Sequence, residues 1–175
     1  MPNAPLRQSS ALRVDAALRA RGILDRVREL PSSTRTAAEA AQAVGCSTGQ
    51  IVKSLVFRAH DSGQAILVLA AGSHRVDEDW MRRYTHQRLI RADPEFVRTV
   101  TGFAIGGVPP IGHPSTLPTY IDLDLLEEGE LWAAAGHPHA ICRLTARELV
   151  SLTQGRLVPV VPPVGGAPPP SRWIA

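Results

Sequence analysis

The chain has 175 residues, of which 20% are charged and 44% hydrophobic, with a net charge of +3 and a pI near 9.4. That length buries a sizeable core within one domain, and no apolar stretch is long enough to cross a bilayer. The composition is that of a soluble globular protein, and the modest positive charge permits a polyanionic partner without demanding one.

The opening residues, Met1 to Arg7, lack the hydrophobic core of a signal peptide, which predicts a cytoplasmic protein. Ser9 and Ser10 are placed to cap a helix running to about Arg21, with Gly22 as its stop. A short strand over Val27 to Leu30 follows, and Pro31 turns the chain. Thr34 or Thr36 then opens an Ala-rich helix, Ala37 to Val44, closed by Gly45.

The next strand carries the most informative residue. Eighteen of the 19 basic residues are Arg, and the single Lys, Lys53, lies in the apolar, β-branched run Gln50 to Phe57. A chain so biased toward Arg keeps a lysine for what an ammonium does: a compact, strongly hydrated point charge on a flexible stem. Period two sets Ile51, Lys53, Leu55 and Phe57 on one face and Val52, Ser54 and Val56 on the other. The plainer alternative is a lysine at a sheet edge that discourages strand pairing.

Asp61 to Gly63 turns into Ala65 to Ala71, predicted as a hairpin partner buried on both faces. Asp77 to Tyr84 reads as a helix with acidic residues in its first turn, Arg88 to Arg91 as a short strand, and Asp93-Pro94 as the start of a helix ending near Gly102. Gly106 to Pro114 holds too many glycines and prolines to be regular. Tyr120 to Asp122, Glu130 to Ala135 and Ala140 to Leu144 are strand candidates, and Thr145 caps a helix over Ala146 to Thr153. The expected architecture is mixed α/β, one domain over 1–160 with a curved mixed β-sheet flanked by helices, followed by a Pro/Gly-rich tail over 161–175.

Glycines let backbone approach a ligand closely and prolines fix φ while withholding donors, so Gly106 to Pro114 fits a rigid carbonyl- or oxyanion-binding loop, with an ordinary connection rich in turn formers as the plainer alternative. Cys46 and Cys142 suggest neither a disulfide framework nor a zinc site. His137 and His139 could be two ligands of a metal but lack a visible third. His74 and His113 flank the Gly-containing loops as acid/base or substrate-donor candidates, with surface histidine as the alternative. Arg13, Arg19, Arg21, Arg26 and Arg28 form one basic cluster and Arg82, Arg83, Arg88 and Arg91 a second; both suit phosphates or a solvated surface.

Lys53 within Val52 to Phe57, the loop Thr101 to His113, the run Leu117 to Asp122 and the small-residue strand Trp132 to Gly136 follow one another in an order that closely resembles the YbaK/EbsC family, over about Thr34 to Val158. Its members are free-standing relatives of the editing domain of bacterial prolyl-tRNA synthetases. The resemblance implies an aminoacyl-tRNA deacylase acting in trans on misacylated tRNA, expected here to be a small amino acid such as alanine on proline tRNA, with a prolyl-tRNA synthetase as a further candidate partner. It implies no metal and no cofactor. Lys53 would hold the 3′ nucleotide, and the loop backbone of Gly107, Val108, Pro109 and Pro110 would orient the ester carbonyl. Gly106, His113, Ser73, His74 and Gly136 are the remaining pocket candidates. Two alternatives stay open: a non-catalytic nucleic-acid-binding module of the same fold, and Lys53 as a Schiff-base nucleophile.

Overall fold

The structure, a computed structural model, describes residues 5–163. Eight strands form one mixed sheet: β1 (Val27–Glu29), β2 (Ile51–Ala59), β3 (Ala65–Ala71), β4 (Leu89–Arg91), β5 (Thr119–Asp122), β6 (Leu131–Ala134), β7 (Ala140–Leu144) and β8 (Arg156–Val158). Their order is β1-β7-β6-β2-β3-β5-β8, with β4 joined to β2 off that path. The pairs β2/β6, β3/β5 and β5/β8 are parallel and the others antiparallel.

Five helices cover the two faces: α1 (Ser9–Arg19), α2 (Ala37–Val44), α3 (Glu78–Thr85), α4 (Pro94–Thr101) and α5 (Ala146–Thr153). The alternation along β2 and β3 decides which face meets which helices. Val52, Val56, Leu67 and Leu69 join a core with Val14 and Leu18 of α1, Val97 of α4 and Leu149 of α5. Leu55, Phe57, Ile66 and Val68 face the other way, toward Met81 of α3, while Ile51 packs with Ala40 and Ala41 of α2 and with Trp132. All seven residues of β3 are buried, as its apolar run predicts for a strand covered on both sides.

Most helix starts follow the sequence signals. Thr36 and Thr145 each form a capping box, with Glu39 and Glu148, and Asp77 and Asp93 cap α3 and α4. The expected cap on α1 is not what forms. Gln8 is the N-cap and makes no side-chain cap; instead the Glu29 carboxylate on β1 accepts the N–H groups of Arg7 and Gln8, each at 2.7 Å. A strand distant in sequence supplies the acceptor that the local serines do not. Strand β8 carries no clear sequence signal: it is three residues long, begins with exposed Arg156 and owes its place to parallel pairing with β5. Beyond it Val160 is fully buried and Val161 packs on the second core; residues 164–175 of the expected tail lie outside the described residues.

Candidate active site

Strand β2 is paired with β3 along its length, but its other edge is interrupted. That edge meets β6 at Ile51 and Val52 and meets β4 only from Phe57 onward, which leaves Lys53 to Val56 facing a gap in the sheet. The N–H of Gly72 donates to Ile51 O at 2.7 Å and the N–H of Ala59 donates to Gln64 O at 2.8 Å, so odd-numbered residues of β2 turn their peptide groups to β3. By alternation Ser54 turns its N–H and C=O into the gap. Its Oγ is buried without a hydrogen-bond partner.

A cleft of about 770 Å³ occupies this gap. Lys53 to Phe57 line it together with Val97, Val108, Ala40, Trp132 and Ile141; Arg35, Arg75 and Arg91 stand at exposed positions along it. The cleft therefore brings Lys53 together with Gly106 and Val108 of the Gly/Pro loop. The Lys53 Nζ donates to the backbone carbonyl of His74. Half-burial lowers the ammonium pKa, because leaving water costs the charged form, and the charge of Asp122 partly restores it.

The loop that shares the cleft with Lys53 is held by backbone and side-chain ties. The N–H of Gly107 donates to Ala104 O at 3.0 Å, and its C=O accepts the N–H of Gly136 at 2.8 Å. The Nε2–H of His113 donates to Pro109 O at 2.9 Å, and the His113 ring meets Phe103 edge-on. Burial holds the His113 imidazole below its ordinary pKa, in keeping with a neutral donor. Gly107, Val108, Pro109 and Pro110 are all buried, whereas Gly106 is exposed with φ +88°. Ile105, Gly106 and Val108 are the loop residues that line the cleft, and the N–H groups of Gly106 and Val108 have no intramolecular partner among the described residues.

The other sequence-predicted positions lie behind or beside the cleft. Gly107, Pro109, Pro110, His113 and Gly136 form the loop's framework and do not line it; Ser73 is exposed in the turn after β3. His74 contributes its carbonyl, while its ring is clamped by Asp122 (Nδ1 to Oδ2, 2.8 Å) and Asp124 (Nε2 to Oδ2, 3.3 Å). Among the described residues no group of three or more His, Cys, Asp or Glu is arranged to hold a metal; the His137 and His139 rings lie 5.4 Å apart, tilted by 37°. Cys142 is a core residue whose thiol burial pushes up to about 12.

The two arginine clusters divide. Arg19 pairs with Asp15 and Asp25, Arg26 with Glu148, and Arg13 and Arg28 lie over Phe103 and Trp132 at 4.3 Å. These interactions are structural. From the second cluster only Arg91 lines the cleft, and it pairs with Glu78 at 3.3 Å. Arg35, Arg75, Ser54 and exposed Ile105 escape a reading of the sequence as site residues: each is unremarkable locally, and only the gap between β6 and β4 gathers them.

A mixed α/β domain whose split sheet holds one amine in the same cleft as loop amides, with arginines at exposed positions along it, defines the class of site. The chain belongs to the aminoacyl-tRNA editing domain family, whose model matches residues 31–152. It is similar to a solved structure described as a candidate trans-editing enzyme for prolyl tRNA synthetase, with 51% identity and a TM-score of 0.83 over 89% of this chain and 98% of that one. It is 33% identical to the uncharacterized protein YwhH of Bacillus subtilis over 70% of this chain and 78% of the relative. The candidate Cys-tRNA(Pro)/Cys-tRNA(Cys) deacylase EbsC of Enterococcus faecalis is 23% identical over 71% of this chain and 76% of its own length. No helix among the described residues is long and apolar enough to cross a membrane.

Proposed function

We propose that the protein hydrolyses, in trans, the ester that joins a wrong amino acid to the 3′ end of a tRNA, with a small residue such as alanine on proline tRNA as the substrate. The observation that carries this reading is the shared cleft of Lys53, Gly106 and Val108. An ester carbonyl seated against the free N–H groups of Gly106 and Val108 would have its developing oxyanion stabilised by donors already fixed in place by Gly136 and His113. Water adds to the carbonyl carbon, helped by the hydroxyl of the tRNA's terminal ribose, and the ester C–O bond breaks to leave free amino acid and tRNA. Lys53 would hold the phosphate or ribose of the 3′ nucleotide, where exclusion of water strengthens an ammonium's grip on an anion.

Arg35, Arg75 and Arg91 lie where the backbone of an incoming acceptor end would pass, and planar guanidinium groups suit bidentate phosphate contacts. Apolar residues that line the cleft, among them Val56, Val97 and Val108, would meet a small side chain. One methylene in such a pocket is worth about 1–3 kcal/mol, so selectivity among small amino acids is expected to be graded. The test is a panel of mischarged tRNAs assayed for amino-acid release at sub-stoichiometric protein. Multiple turnover on alanylated proline tRNA is the expected result. Salt-dependent binding with no release would make the protein a binding module and overturn the proposal.

A further inference from the structure

Behind Lys53 lies a chain of contacts that the proposed chemistry does not itself use. The Lys53 amine donates to the carbonyl of His74; the His74 ring lies 2.8 Å from Asp122; and Asp122, which also accepts the N–H of Ala71 at 3.0 Å, has a side chain only 2% exposed. Asp122 closes β5, so the carboxylate is anchored to the central sheet, whereas His74 belongs to an irregular link between β3 and α3 that has no strand or helix to fix its carbonyl. A flexible four-carbon stem has no preferred place for its amine unless an acceptor is held still.

We propose that Asp122 is the positioning residue for Lys53, fixing through the His74 ring the backbone carbonyl on which the lysine amine rests. This rests on the role given to Lys53 above. The charged groups that share the cleft with the amine are Arg35, Arg75, Glu78 and Arg91; Asp122 and Asp124 meet His74 from the sheet side. Asp122 is the carboxylate whose charge favours the ammonium, so its removal has a direct signature at Lys53.

Because Lys53 is the chain's single lysine, labelling with ¹³C-lysine gives one side-chain Cε signal that reports its titration without any assay of function. In Asp122→Asn that signal is expected to titrate at lower pH than in the unaltered protein, and deacylation is expected to fall about a hundredfold, the scale of a bound substrate misplaced by an ångström. An unchanged titration in folded Asp122→Asn overturns the proposal. Loss of the Asp122 charge alone would also lower that titration, so His74→Ala decides: it keeps the carboxylate and the carbonyl but removes the ring that links them, so movement of the Lys53 signal supports the proposal and superposition on the original overturns it. Absence of deacylase activity in the unaltered protein would defeat the functional reading while leaving the NMR result to judge Asp122.

Discussion

The N–H of Gly136 donates to the carbonyl of Gly107 across 2.8 Å, and neither glycine has room for a side chain. A Cβ on Gly136, whose φ is +91°, would meet Ser10 O at 2.5 Å; one on Gly107 would meet the backbone of His137 at 2.9 Å. Gly136→Ala combines left-handed strain with a backbone clash and is expected to cost at least about 2 kcal/mol, read as a shift in the urea midpoint. Gly107→Ala carries the clash alone and is expected to cost about 1–3 kcal/mol. Both are expected to slow deacylation by moving the Val108 N–H; full activity in Gly136→Ala would mean that the loop does not need this tie.

Lys53 is expected to separate stability from function. Its ammonium is half-buried and disfavoured by desolvation, so Lys53→Met should leave the urea midpoint equal or higher while deacylation drops at least about a hundredfold, the scale of removing one fixed charge from a dry site. Lys53→Arg should fail nearly as badly, since a planar fork does not replace a point charge. Normal hydrolysis by Lys53→Arg would refute the role assigned to the amine.

The acid side of the stability profile is expected to depend on His113. Its folded-state pKa lies below the ordinary 6.5, so the unfolded chain takes up the proton first. Its contribution is therefore fully present above pH 6.5 and is lost as pH falls from there toward the folded-state value. His113→Gln keeps an N–H for Pro109 O and removes the titration, so the gap between urea midpoints at pH 7.5 and pH 5 should narrow. Loss of the ring packed on Phe103 should cost about 1 kcal/mol or less at the higher pH. An unchanged gap would locate the acid sensitivity elsewhere.

The arginines at the rim should act on binding rather than turnover. Arg35→Ala and Arg75→Ala are each expected to raise KM, leave kcat nearly unchanged, and reduce the slope of log affinity against log salt by about 0.7 to 0.9 for each phosphate no longer neutralised. Equal effects on kcat and kcat/KM would place the arginines in the reaction itself.

Local signals read well from the sequence because each has a local cause. Thr36, Asp77, Asp93 and Thr145 cap the helices they precede, and the seven apolar residues of β3 are buried on both faces. Where a distant segment decides, the sequence is silent: Glu29 caps α1 across a strand boundary, and β8 exists because β5 offers it an edge. The site follows the same division. Lys53 and the Gly/Pro loop stand out by residue type, and the structure brings Lys53, Gly106 and Val108 to one cleft. The work of Asp122 on His74 depends on the β3/β5 pairing, and Arg35 reaches the cleft only because α2 packs beside β2.

The interrupted edge of β2 also bears on how the molecule avoids sticking to its own kind. Unpaired strand edges invite foreign strands, yet here the open stretch is short and enclosed by β6 and β4, with a cation carried on the strand itself. A working residue and a guard against strand pairing are alternatives in the sequence, but Lys53 stands where it can be both. Replacing it with an apolar residue would thus open a second liability, self-association through the slot, that a stability curve on dilute protein would not reveal.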